Sequence, residues 1–477
     1  MSDTTTPPIV SITGGSDGTE AEYGQMVALS HRFESVAGDL MSRSTLGATV
    51  MGNGDLMESA VLAPHTFAAA QAAIVLATTG PSGLTVQAGF LEVSAITMRN
   101  MVSAYTGVDA LQRAAFEAFD YGTGFALGAT PIALPFALAA YARMTPEQRA
   151  NLPGTLQQWA EDNPGMVQHL INGSGGLVDG LQASTGALLT PALGPFGGRA
   201  LWGSLGIDPF NPTTGAAAAD LAGLYRDGEP TVGAFTQDDS ALSKTPPGGV
   251  ADLMANLDEV NAGEDGLIRV QQVGAAGRYI VYIPGTDDMA TLPGQSDETI
   301  RDMGANLKLM GGDQTAYGRG IIEAINRSTP EGSQVTLVGH SQGGMTAAEI
   351  ASVNGSDGSQ HFKVDHVVTA GSPTSQVESL PSHVSMLSLE NSGDVIPLTD
   401  GEPNPESANR TTVRFDANTG SIAGNHRIEQ YVQGGQAIDA YADTHHEGSL
   451  PNEINSLGDY LGYREASSQS VIIERKP

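Results

Sequence analysis

Residues 334–353 read QVTLVGHSQGGMTAAEIASV. The run opens on apolar side chains, Val335, Leu337 and Val338, that suit a short buried strand. It breaks at Gly339-His340-Ser341-Gln342-Gly343 and resumes with Met345, Ala348 and Ile350 available for one helical face. A G-x-S-x-G between a strand and a helix carries information that the bare pattern lacks. The expected turn is sharp. Ser341 sits at its tip in a strained backbone conformation, and Gly339 and Gly343 present no side chains to clash where strand and helix cross. The Ser341 hydroxyl then projects from the sheet as a nucleophile. The N–H of Gln342, at the start of the helix, is a donor for an oxyanion. The competing reading is a glycine-rich strand–helix turn with no chemistry.

The sequence on either side of the elbow alternates between strand and helix. Ala251–Val260 reads as a short helix. Leu267–Val273 and Arg278–Pro284 read as two strands of a hairpin, and Glu298–Met310 and Ala316–Asn326 as helices. Val364–Ala370, Met386–Leu389 and Thr411–Phe415 read as further strands, and Arg427–Tyr441 as a helix. Such alternation predicts a largely parallel sheet covered on both faces, with ligands outside the carboxyl ends of its strands. An acid is expected after a strand beyond the elbow. MLSLENSGDVIP supplies Asp394 on the loop, with Glu390 and Asp400 as alternatives and an Asx-turn or cap as the structural reading. A base is expected later still. Of ten histidines, His426 follows a strand and a glycine-rich loop. His445 and His446 read as surface residues, and the side chain of His340, next to the nucleophile, is expected to point elsewhere. The order Ser341, Asp394, His426 is that of α/β-hydrolases and not of the chymotrypsin or subtilisin types. A second oxyanion donor is expected after Tyr279–Ile283. There Gly285 lets the backbone turn and Thr286 offers its N–H and its hydroxyl; the alternative is an ordinary turn.

Composition bounds the rest. The chain has 477 residues, 53 acidic against 22 basic, a net charge of −31 and no cysteine. Disulfides and thiolate chemistry are excluded, and nucleic acid should be repelled. Residues 1–20 read as a flexible lead with no secretory signal peptide. Residues 21–202 read as an all-α helical domain. Met26, Leu29, Phe33, Val36 and Leu40 form one amphipathic stripe, and Leu91, Ala95, Met98, Val102 and Tyr105 another, continued by Val108, Leu111, Ala115 and Phe119. The uncharged stretch 121–142 is long enough to contact or enter a membrane, but its glycines and prolines favour a buried or broken helical hairpin. Residues 203–247 lose periodicity and read as a linker or covering segment. The α/β domain occupies residues 248–477.

Residues 265–445 resemble an α/β-hydrolase of the lipase and esterase kind, over somewhat more than a third of the chain. IVYIPGT, VTLVGHSQGG, VVTAGSP, LENSGDVIP and the histidine of GNHRIEQYV carry the resemblance. The Gly-Thr after an early strand is similar to the oxyanion loop of class 3-type lipases, and the Asn-plus-Asp loop to their acid loop. Gln342 stands where leucine is frequent in lipases, which leaves the substrate class open. The resemblance implies a Ser341-His426-Asp394 triad that cleaves carboxylic esters, lipid or acyl esters preferred, through an acyl-enzyme and without metal or cofactor. An acyltransferase using the same triad is the alternative. A non-catalytic secretion or membrane-interaction protein with an inert hydrolase-like domain is the other. The N-terminal helices are similar to those of actinobacterial type VII secretion substrates, with Tyr105/Asp109 and Tyr225/Glu229 matching Y-x-x-x-D and Y-x-x-x-E. That similarity implies secretion by a non-classical route; otherwise the chain is expected in the cytoplasm.

Overall fold

The computed structural model describes residues 6–79, single positions and short runs between 83 and 125, and residues 171–189, 200–208, 210–211, 213–274, 277–288, 291, 299–354, 360–377 and 379–476. The chain divides into two compact units, Thr19–Ala115 and the combination of Met1–Gly18 with Phe116–Pro477. The first holds α1 (Thr19–Met51), α2 (Gly54–Leu62) and α3 (Pro64–Thr78). The expected stripes are met in part: Met26, Phe33, Leu40, Leu91, Met98 and Val102 are half-buried and Ala95 is buried. The fully covered side chains are small, Ser30 and Ala37 on α1 and Ala88 and Ala95 further on. Each pair is seven residues apart, two helical turns, so each lines one seam. Gly47 is also covered, packed against Ile74 and Thr78 of α3. The larger Leu29 and Val36 stay exposed. An ion pair between Arg99 and Glu34 at 3.1 Å closes over α1.

The second unit is built on a ten-stranded sheet. Its strands are β1 (Ile9–Gly14), β2 (Glu229–Val232), β3 (Thr236–Asp238), β4 (Leu267–Val273), β5 (Arg278–Ile283), β6 (Gln334–His340), β7 (Lys363–Ala370), β8 (Ser385–Asn391), β9 (Arg410–Phe415) and β10 (Ala466–Lys476). In space they run β1-β9-β8-β7-β6-β5-β4-β10-β2, with β3 also on β10. β5 to β9 are parallel. Antiparallel strands complete both edges: β1 on β9, and β4, β10, β2 and β3 at the other side. The parallel strands are apolar at nearly every position because both their faces are covered.

Alternate side chains of β5 separate two cores. Val281 and Ile283 join Val335 and Leu337 on one face, under α8 (Ala316–Ser328) and α9 (Gln342–Ser352). Ile280 and Tyr282 join Val338, Val368 and Leu387 on the other, under α6 (Val250–Asn261), α10 (Ile428–Thr444) and α11 (Ser449–Leu457). Each such side chain contributes about 1.5–3 kcal/mol by leaving water. Two more helices, α4 (Ser174–Leu189) and α5 (Thr214–Ala222), precede the sheet's main run, and α7 (Met303–Met310) precedes α8. Glu298–Met310 was expected as one helix. It begins only at Met303, because Asp302 is its cap and accepts from Ala305 N at 2.8 Å.

The expected domain boundaries need correction. Residues 1–20 are not merely a flexible lead, since Ile9–Gly14 supplies the edge strand that pairs with β9 and Ile9 and Ile12 pack on the core. Residues 203–247, expected as a linker or covering segment, instead contain α5 and two of the strands that pair with β10. The helical unit ends near residue 115, and α4 belongs with the sheet. The stripe Val108 to Phe119, Tyr105 with Asp109, and almost all of 121–142 lie outside the described residues. Among the described residues no helix is long and apolar enough to cross a membrane.

Candidate active site

The elbow forms between β6 and α9. Ser341 has φ 53° and ψ −121°, and it is the only non-glycine with positive φ among the described residues. Its N–H donates to Ala370 O at 3.0 Å, which ties the turn to β7. The glycines permit the crossing. A Cβ on Gly343 would overlap the carbonyls of Ile283 and Pro284, and one on Gly339 would overlap the backbone at Gly343. Strain of this kind persists only where the surroundings over-determine it. Ser341 retains 9% exposure.

Asp394 and His426 come together from the loops after β8 and β9. His426 Nδ1 lies 2.6 Å from Asp394 Oδ2. The Asp394 side chain is completely buried, while that of His426 keeps 22% exposure. Both carboxylate oxygens are engaged: Oδ2 also accepts the Tyr431 hydroxyl at 2.7 Å, and Oδ1 accepts Ile396 N at 2.9 Å. A carboxylate acceptor requires a proton on His426 Nδ1, which leaves Nε2 as the basic nitrogen. Burial, followed by the charge of Asp394, pushes the Tyr431 hydroxyl well above its ordinary value, so it stays a donor. Asn391 and Asn425 lock the two loops together. Asn391 Nδ2 donates to Asn425 O at 3.0 Å, and Asn425 Nδ2 donates to Gly393 O at 2.7 Å.

The Pro284–Asp287 turn abuts the elbow. A Cβ on Gly285 would lie 3.0 Å from both Ser341 Cβ and His340 Nδ1, a contact tight enough that the elbow would have to shift to admit it. Thr286 N makes no hydrogen bond to the described residues. Gln342 is the first residue of α9, where the N–H has no acceptor within the helix. The Gln342 side chain turns the other way, donating to Asp302 O at 2.8 Å and to Asn306 Oδ1 at 3.0 Å. Asn306 Nδ2 in turn donates to Thr286 Oγ1 at 3.0 Å. Arg301, buried and paired with Asp265 at 3.0 Å, donates to Gly285 O at 2.6 Å. The elbow and the turn are thus joined by side chains on α7 and the segment before it.

The structure therefore brings Ser341, Gln342 and Thr286 to one end of the sheet, with Asp394 and His426 paired there. Gly371, one residue after Ala370, lies against Asp394 and Tyr431. No hydrogen bond joins the Ser341 hydroxyl to His426. The alternative acids face elsewhere: Asp400 accepts from Ser375 N at 2.7 Å, and Glu390 accepts from Asn404 Nδ2 at 2.8 Å. His445 is exposed and stacks on Tyr441 with ring centroids 3.9 Å apart. His340 departs from expectation, since its ring packs on that of His426 at 4.5 Å. Asn391 was quoted only as part of the acid-loop resemblance, and Asn306, Asn425 and Tyr431 were not singled out from the sequence. Tyr431 lies within GNHRIEQYV, five residues after the histidine, but nothing local marks it as a partner of Asp394. Comparisons with family models, with curated proteins and with solved structures gave no match.

Proposed function

We propose that the chain is a serine hydrolase of the α/β-hydrolase kind that cleaves carboxylic esters. The observation that carries this reading is the strained Ser341, unique among described non-glycine residues, at the end of the sheet where Asp394 and His426 pair at 2.6 Å. In the proposed mechanism His426 Nε2 takes the Ser341 proton as Oγ attacks the ester carbonyl. Asp394 fixes the tautomer and stabilises the imidazolium, and Tyr431 and Ile396 N hold Asp394 in turn. The Ser341–His426 hydrogen bond forms as substrate is engaged, since such bonds tighten in the reacting complex. The N–H groups of Gln342 and Thr286 receive the oxyanion. The Thr286 hydroxyl is held by Asn306, accepting from Nδ2 at 3.0 Å and lying 3.2 Å from Oδ1, which positions the turn that carries the Thr286 N–H. Each donor is worth about 2.7–4 kcal/mol in this kind of site. The alcohol leaves with the proton returned by His426. Water, deprotonated by the same nitrogen, then releases the acid and restores Ser341.

A lipid or long acyl ester is the proposed substrate class. The exposed Met57, Val61, Leu62 and Leu76 of the helical unit support an apolar partner for this chain. The test is labelling by a fluorophosphonate probe. We expect stoichiometric labelling of the native chain and none of Ser341→Ala, with His426→Ala slowed by about 10³-fold or more. A folded native chain that does not label would overturn the reading. A series of p-nitrophenyl esters then tests the chain-length preference.

A further inference from the structure

The hydrolase roles use Ser341, Gln342 and their partners, and leave His340 without a part. His340 ends β6 and is 6% exposed. Its Nε2 lies 2.8 Å from the main-chain carbonyl oxygen of His426. Because a carbonyl only accepts, Nε2 carries the proton and Nδ1 is the bare nitrogen. That Nδ1 is buried without a hydrogen-bond partner, facing the backbone at Gly285. The ring lies 4.5 Å from the His426 ring at a 35° tilt, and Tyr431 meets it edge-on at 5.9 Å.

An ordinary core histidine satisfies both nitrogens. His340 satisfies one, and that one on the main chain of the residue read here as the general base. We propose that His340 is a positioning residue for His426, gripping its main chain through Nε2–H and its imidazole through ring contact, so that His426 keeps its reactive nitrogen toward the elbow. The inference rests on the serine-hydrolase reading. Three further features agree with it. Asp394 fixes only the Nδ1 end of His426, which leaves rotation about that bond to be stopped by something else. The carbonyl that His340 holds lies two residues before α10, at the joint from which His426 projects. Burial, and then the nearby His426, push His340 well below the ordinary histidine value, so it stays neutral and does not compete for the Ser341 proton. The titratable groups around it are His426, Asp394 and Tyr431, and the other wall is the Gly285 backbone.

Two substitutions separate grip from bulk. His340→Gln keeps an amide donor near the Nε2 position, and His340→Phe keeps a ring without the donor. Fluorophosphonate labelling should stay within about threefold of native in His340→Gln and slow by about tenfold or more in His340→Phe, as displacement of a catalytic group predicts. The downfield proton on His426 Nδ1, assigned by its absence in His426→Ala, should persist in His340→Gln and broaden in His340→Phe. His340→Asn, whose amide is too short to reach the carbonyl, serves if the Phe variant does not fold and should behave as the Phe variant does. Native labelling together with an unchanged His426 resonance in the donor-less variant would overturn the proposal. The resonance does not depend on turnover. If the native chain fails to label, the hydrolase reading falls while the hold of His340 on His426 is still decided.

Discussion

The helical unit and the sheet unit use apolar side chains in opposite ways. On β5, β6 and β7 the large residues are inside: Val281, Leu337 and Val367 have no exposure. On α1 the buried residues are the small Ser30, Ala37 and Gly47, no residue of α2 or α3 is buried, and Val61 and Leu62 are each 86% exposed. Apolar periodicity therefore marks a face, and whether that face is a core depends on what lies across from it. In the sheet unit a helical layer lies across from each face of the strands. In the helical unit Ala37 and Gly47 are buried, Gly47 close against Ile74 and Thr78, while Val36 and Leu46 beside them remain in solvent. Glycine shows the same contrast. In the elbow it is required by the backbone around it; on much of α1 it is only a gap in an otherwise good helix.

The sharpest way to break the comparison is Gly343→Ala. Its methyl would overlap two main-chain carbonyls, Ile283 and Pro284, neither of which is free to move without dislocating β5. The expected cost is more than ~3 kcal/mol, beyond the usual range for overpacking, because no side-chain rotation relieves it. Trp202 lies in the sheet unit, and its fluorescence follows that unit. We expect its urea midpoint to fall sharply and fluorophosphonate labelling to vanish. A midpoint within error of the native value would show that strand and helix do not cross as tightly as described.

The next effect in size is a pH slope confined to the sheet unit. Burial raises the Asp400 carboxyl to about 7, against which its hydrogen bonds from Ser375 act, and burial also raises Glu390 to about 6. Both folded-state values lie above those of the unfolded chain. Between pH ~4 and ~7 the folded state therefore holds protons that the unfolded state has released, and stability falls as pH rises through that window. The drop is on the order of a few kcal/mol. Asp238 works in a separate window. Burial resists its ionisation, but hydrogen bonds from Ser240 and Ser470 and the charge of Arg269 outweigh that and lower it to about 2. The stability it contributes is lost only as pH falls below ~4. Asp400→Asn keeps an acceptor for Ser375 N and should flatten most of the slope between pH 5 and 7. An unchanged slope in chemical unfolding followed by tryptophan fluorescence would place its source elsewhere.

How much could be read in advance follows from how local each feature is. The elbow was legible because strand, turn and helix are contiguous in 334–353, and the β4/β5 hairpin because four residues join its strands. The pairing of Asp394 with His426 matches the order expected on the sheet. By contrast, β1 and β9 pair across some four hundred residues, and nothing within PPIVSITGG indicates a partner. β10 escaped because ASSQSV is polar, although Val471 and Ile473 are core residues. The side chains that brace the site are asparagines, a tyrosine and a histidine whose partners lie 20 to 86 residues away. Their meaning exists only in the folded arrangement. The stripe of α1 was legible only in part, with Met26, Phe33 and Leu40 half-buried but Leu29 and Val36 exposed, because spacing gives the direction in which side chains point, while close approach is decided by the smallest of them.

The smallest expected effect tests that last point within a single helix. Gly38 lies on α1 with nothing within 4 Å of where a Cβ would stand, and Gly47, nine residues on, would place its Cβ into the Thr78 side chain on α3. Glycine in a helix interior costs about 0.5–1 kcal/mol relative to alanine through backbone entropy. Gly38→Ala should recover that amount, because the methyl meets only solvent. Gly47→Ala should recover the same entropy and lose more than it gains, because Thr78 is β-branched and stiff within its own helix. The measurement is chemical unfolding followed by far-UV circular dichroism, with tryptophan fluorescence recorded in parallel. The Gly38 variant should raise the midpoint of the helical signal and the Gly47 variant should lower it, while the fluorescence transition and fluorophosphonate labelling stay at their native values in both. Equal stabilisation by the two would mean that Gly47 is not a close-packing position, and the small-residue seam would no longer account for why Leu29, Val36 and Leu46 of α1 are left outside.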